Sequence, residues 1–85
     1  MDIIDKIRNF LSAETSAGSS ALQTDPGEDL LSAGIIDSMT LLKLVSFMEE
    51  TFGIKVLDED INKRNFRNLT SMKAFIEFKQ ETAEV

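Results

Sequence analysis

Residues 30–52 read LLSAGIIDSMTLLKLVSFMEETF, and the fold turns on how this run divides. Leu30, Leu31, Ile35 and Ile36 bring apolar chain back to a core, and Gly34 between them supplies a turn. Asp37 then opens a helix expected over residues 38–52. An Asp in that position accepts a hydrogen bond from a free backbone N–H of the first turn. At about 100° per residue, Leu41, Leu44, Val45, Met48 and Phe52 share one face, the mark of a helix half immersed in a core. Gly53 ends the helix as a residue able to take the left-handed conformation. Lys55 and Val56 follow in a short extended segment.

The flanks fit a helical architecture. Residues 2–12 read as an amphipathic helix, with Ile3, Ile7, Phe10 and Leu11 on one side and Ile4 at its flank. Asp2 lies near its start, where the helix dipole favours negative charge. Residues 13–29 are rich in Ser, Ala, Thr and Gly, and Asp25-Pro26-Gly27 is a turn signal. They predict a long, mobile loop. Residues 57–69 suggest short helical pieces and turns anchored by Leu57, Ile61, Phe66 and Leu69. Thr70 or Ser71 is placed to cap a last helix running to about Lys79, with Met72, Phe75, Ile76 and the stem of Lys79 inward. The tail at 81–85 has no pattern and is expected to fray. The expected fold is all-α: a small four-helix bundle, three helices longer and one short, with a long loop between the first two. A single domain spans 1–85, its core about 3–79.

Composition narrows the function. Eighty-five residues support a modest core and not a deep enclosed pocket. The formal charge is −6, from 15 acidic and 9 basic residues. That disfavours nucleic acid and anionic membrane surfaces and favours basic patches on other proteins, or simply keeps a small domain soluble. There is no Cys and no His. Thiolate chemistry, zinc–thiolate sites and the usual general base are thereby removed. No signal peptide or membrane span is visible, so the expected location is cytoplasmic.

Chemistry concentrates at Gly34-Ile35-Ile36-Asp37-Ser38-Met39. Ser38 stands at a helix N-terminus, where unpaired N–H groups and the dipole favour an anion such as a phosphodiester. The junction of loop and helix leaves its hydroxyl accessible to another protein. The same Asp-Ser pair also suits ordinary capping, which is what these residues do at most helix starts.

The run from Leu31 to Phe52 resembles the phosphopantetheine-binding carrier family, which includes acyl, peptidyl and D-alanyl carrier proteins. The family pattern is an apolar residue, Gly, two apolar residues, Asp-Ser-Leu or Asp-Ser-Met, then a helix ending in acidic residues and Phe. Gly53-Ile54-Lys55-Val56, Asp58-Glu59-Asp60-Ile61, Asn65-Phe66 and Asn68-Leu69-Thr70-Ser71-Met72 extend the likeness over about residues 3–78. The resemblance implies that Ser38, flanked by Asp37, receives a 4′-phosphopantetheine arm from coenzyme A through a phosphopantetheinyl transferase. The arm's thiol would hold an acyl or aminoacyl group as a thioester. Ser38 is then an attachment point and the chain no enzyme. The length suits a free-standing, monomeric carrier.

The helix from Ser38 suggests a partner face as well. Met39, Lys43, Ser46, Phe47 and Glu50 project away from the buried stripe. In the family the residue after the Ser and this side of the helix contact partner enzymes, which nominates Met39, Phe47, Lys43 and Glu50. Phe47 packed on the loop or on the first helix is the competing reading. Housekeeping fatty-acid carriers have acidic residues where this chain has Thr40 and Lys43. With Asp-Ser-Met and a neutral or basic helix face the chain looks closer to D-alanyl carriers and other discrete carriers, and that resemblance implies an adenylate-forming ligase and downstream acyl-transfer enzymes as partners. Glu49, Glu50, Asp58, Glu59 and Asp60 form an acidic cluster that guides the transferase or is solvated surface. Four Met and six Phe suit either ordinary packing or a core that opens around cargo. Asp58, Asp60 and Asn62 match the first ligand positions of a calcium loop, but Lys63 and Leu69 stand where that loop needs Gly and Glu. No metal site is expected. The alternatives are a non-covalent interaction module with a carrier's fold, docking through Met39 and Phe47, and a fatty-acid synthesis acyl carrier protein.

Overall fold

The computed structural model describes residues 2–14 and 25–82. Four α-helices follow in chain order: α1 (Ile3–Glu14), α2 (Ser38–Phe52), α3 (Lys63–Phe66) and α4 (Leu69–Thr82). A single 3₁₀ turn, Asp58–Asp60, precedes α3. Among the described residues there is no strand. Three longer helices and one short one make the expected all-α bundle.

Each helix begins where a side chain can cap it. The Asp2 carboxylate accepts the Asp5 N–H at 2.9 Å, so Asp2 caps α1 besides facing its dipole. The Asp37 carboxylate takes the Thr40 N–H at 2.8 Å and starts α2. Asn62 caps α3 through the Asn65 N–H at 3.0 Å. The cap of α4 corrects the sequence expectation. Asn68 accepts the Ser71 N–H at 2.7 Å, and Thr70 and Ser71 already lie inside the helix. Gly53 closes α2 at φ 67°, its N–H donating to the Glu49 carbonyl at 3.1 Å.

One core joins all four helices. Ile7 and Leu11 of α1, Leu44 and Met48 of α2, Phe66 of α3, and Leu69, Met72, Phe75 and Ile76 of α4 are buried together with Leu30, Ile36 and Ile54. The α4 helix touches each of the other three. Met48 and Met72 are fully enclosed. Leu57 departs from its expected inward role: it is 40 % exposed. The neighbouring turn is held instead by polar contacts. The Asp60 carboxylate accepts the Leu57 N–H at 2.9 Å and pairs with Lys79 of α4 at 2.8 Å.

The connection into α2 fixes where Ser38 stands. Pro26 accepts the Thr70 N–H at 3.1 Å, and the Leu30 N–H donates to the Arg67 carbonyl at 2.6 Å. The chain before α2 is thereby tied to the junction of α3 and α4. The Asp29 carboxylate receives the Leu31 and Ser32 N–H groups at 3.1 and 3.0 Å. The Leu30 carbonyl accepts from Ile35 and Ile36 at 3.0 and 3.2 Å. Gly34 makes the intervening turn at φ 78°, where a Cβ would be strained. Of the segment expected as a loop, Ala13 and Glu14 belong to α1 and residues 25–29 form turns. Residues 15–24, with their expected mobility, and residues 83–85, with their expected fraying, lie outside the described residues. Glu81 and Thr82 are helical.

Candidate functional site at the start of helix α2

Ser38 is the first residue of α2 and is exposed. The capping work falls to Asp37, whose carboxylate holds the Thr40 N–H. Among the described residues the Ser38 hydroxyl has no hydrogen-bond partner. Attachment there would break no existing contact. The Asp37 carboxyl is held below the usual carboxylate range, chiefly by the Thr40 backbone hydrogen bond. It is therefore ionised at neutral pH and keeps its capping role. A covalent phosphodiester fits the site on two counts. The hydroxyl is open to solvent, and the helix start presents the positive end of its dipole.

Around Ser38 the surface is apolar. Met39 is 68 % and Leu42 64 % exposed. Leu42 is absent from the residues expected at the site, although a signal existed. It follows Met39 by three residues and Ser38 by four, the spacing of helical neighbours. Thr40 is buried, at 8 % exposure. Its lack of charge is therefore a condition of packing and says nothing about partners. No acidic residue occupies the first turn of α2, and the first carboxylate along it is Glu49.

The other nominated partner residues divide. Glu50 and Ser46 are exposed on the same side as Met39. Lys43 is exposed too, but reaches Glu14 of α1 at 3.5 Å. For Phe47 the geometry favours the competing reading, packing on the first helix. It is half-buried, its ring stacks on Phe10 of α1 at 4.5 Å between centroids, and Phe52 meets it edge-on at 6.0 Å. Phe47 belongs to the α1–α2 seam. A shallow groove of about 350 Å³ runs over that seam between Phe10 and Glu50.

The acidic cluster is likewise only partly free. Glu49 accepts the Val56 N–H at 2.9 Å and pins the chain after α2. Asp60 is engaged with Leu57 and Lys79, and the Lys79 hydrogen bond holds its carboxyl below the ordinary value. Glu50, Asp58 and Glu59 stay exposed. Of the calcium-loop match, Asp60 and Asn62 serve as caps. Among the described residues no group of three or more acidic side chains is gathered to hold a metal. No described helix is long and apolar enough to cross a membrane.

No curated protein gives a significant match to the chain. A family model described as a phosphopantetheine attachment site matches residues 5–75. The match takes in most of α1, all of α2 and α3, and the first half of α4. Members of that family hold 4′-phosphopantetheine covalently. The helical bundle, the capped helix start and the match over most of the sequence agree: the chain belongs to the phosphopantetheine attachment-site family and is a carrier of a phosphopantetheine arm.

Proposed function

We propose that Ser38 is the attachment residue and that the protein is an acyl or aminoacyl carrier. The observation that carries this reading is the exposed, unengaged Ser38 hydroxyl behind a cap that Asp37 alone supplies. In the loading step Ser38 Oγ bonds to the phosphorus that carries the pantetheine half of coenzyme A. The pyrophosphate bond breaks, the adenosine half departs, and the hydroxyl proton passes to the transferase. The chain holds no His or Cys to take that proton. In this step the chain is the acceptor, and the transferase supplies the base. Once attached, the arm supplies a thiol for thioester chemistry. The protein's own share is to hold Ser38 at a rigid helix start and present Met39 and Leu42 beside it.

The partner is read from the same surface. With Met39 and Leu42 exposed, and Asp37 the one carboxylate at the start of α2 before Glu49, this end of the helix offers apolar contact to an enzyme and a single negative charge, itself engaged in capping. This supports an adenylate-forming ligase of a specialised pathway over a partner that recognises a strongly acidic helix. The same features are the ones a non-covalent interaction module would use, and one experiment separates the two. The protein and Ser38→Ala are incubated with coenzyme A, magnesium and a broad-specificity phosphopantetheinyl transferase, and intact mass is measured. A gain of one phosphopantetheine in the unsubstituted chain alone is expected. No gain in a folded protein, repeated with the transferase of the source organism, overturns the assignment and leaves the interaction module.

A further inference from the structure

Charge in this protein is sorted along the chain. Residues 61–76 hold four of the nine basic side chains, Lys63, Arg64, Arg67 and Lys73, and none of the fifteen acidic ones. The whole negative excess lies elsewhere. Lys63, Arg64 and Arg67 are exposed on and just after α3. Among the described residues none of Lys63, Arg64, Arg67 and Lys73 is in an ion pair, and Lys63 helps to lower the Asp29 carboxyl.

Beside one of these cations, Arg64, lies an apolar cleft of about 300 Å³ between α3 and α4. Arg64 and Asn65 form one wall, and Ser71, Ala74, Phe75 and Phe78 the other. Phe75 is nearly buried and makes the floor, while Phe78 stands 58 % exposed at the rim. The Asn65 side chain is committed to the Asp60 carbonyl at 2.8 Å. The Arg64 guanidinium is the uncommitted fork, shaped to grip a carboxylate with two parallel hydrogen bonds. An aromatic shelf with a guanidinium at its edge is the composition of an interface anchor. No residue of α2 lines the cleft.

We infer that this cleft is a second docking surface, which receives an acidic protein segment: an apolar side chain against Phe75 and Phe78, and a flanking carboxylate on Arg64. Lys63 and Arg67, exposed on and just after the same short helix as Arg64, add positive charge that favours such a segment over a basic one. Nucleic acid shares the negative charge but needs a longer basic track, and here it would meet the acidic remainder of the surface.

The test starts from a random peptide library panned on the folded protein. The recovered peptide is then titrated into isotope-labelled protein while backbone amide shifts are followed. The expected consensus pairs an apolar residue with Asp or Glu, and saturable shifts gather at Arg64, Ser71, Ala74 and Phe78. Arg64→Glu and Phe78→Ala, both at exposed positions and checked for helix content, each weaken that peptide by at least roughly tenfold, the scale of one lost anchor. Three results overturn the inference: a consensus without acidic residues, shifts gathered on α2, or affinity indifferent to both substitutions. Concentration-dependent self-association abolished by Arg64→Glu also overturns it, since the occupant is then a second copy of this chain.

Discussion

Phe47→Ala distinguishes a seam residue from a partner residue. Removing a fully buried Phe side chain costs about 3–5 kcal/mol. Phe47 is half-buried, which scales the loss to roughly 2 kcal/mol. Part of that is the offset stack on Phe10 at 4.5 Å, an arrangement worth about 0.5–1.5 kcal/mol beyond burial. In a domain of this size, each kcal/mol moves the melting temperature by about 4–8 °C, so the substitution should lower it by roughly 8–16 °C. Thermal and urea unfolding of Phe47→Ala, Phe10→Ala and the double variant close a cycle. The expected coupling is about 1 kcal/mol, the share of the ring pair. If Phe47→Ala melts like the unsubstituted protein and loses only enzyme loading, the packing argument is wrong and Phe47 is a contact residue after all.

Three further outcomes follow from the geometry. Leu42→Ala and Met39→Ala, both at exposed positions, should change stability by under about 0.5 kcal/mol yet lower kcat/KM for transferase loading; added salt should affect loading little, because the contact is apolar. Asn68→Ala should destabilise by about 1 kcal/mol through loss of the α4 cap, while Thr70→Ala, inside the helix, stays within a few tenths; chemical unfolding compares them. Acid should weaken the fold in a definite window. Asp29, Asp37 and Asp60 are all held below 3.8 in the native state, so below that ordinary value the unfolded chain binds more protons. Their contribution is present in full at neutral pH and is lost as pH falls through 3.8 toward the lower native values. Urea midpoints measured across that range should fall less steeply for the chain in which all three are Asn.

Much of this was legible in the sequence because it is local. The reach of α2 follows from an Asp cap at 37, a 3.6-residue stripe through Leu44 and Met48, and a Gly at 53, all within one segment. Ser38 could be singled out for the same reason: its place after Asp37 and at a helix start is a matter of adjacent residues. The cap of α4 was misplaced by two or three residues because Asn68, Thr70 and Ser71 are all competent caps, and the end of α3 decides among them. Leu57 was read as buried from its hydropathy alone. The turn at Asp58–Asp60 takes its hold from Asp60 and Lys79, which lie far apart in sequence.

The sequence by itself determined the long helices, the Asp37 cap of α2 and the place of Ser38 behind it, since those depend on residues within a turn or two of one another. Only the tertiary structure decided which apolar residues meet partners and which meet each other. A helical wheel gives the direction of a side chain but not what stands opposite. Phe10 across the seam turns Phe47 inward, while Leu42, a turn beyond Ser38, faces nothing. The basic cleft is of the same kind: Arg64 and Phe78 become one surface only because α3 folds back against α4.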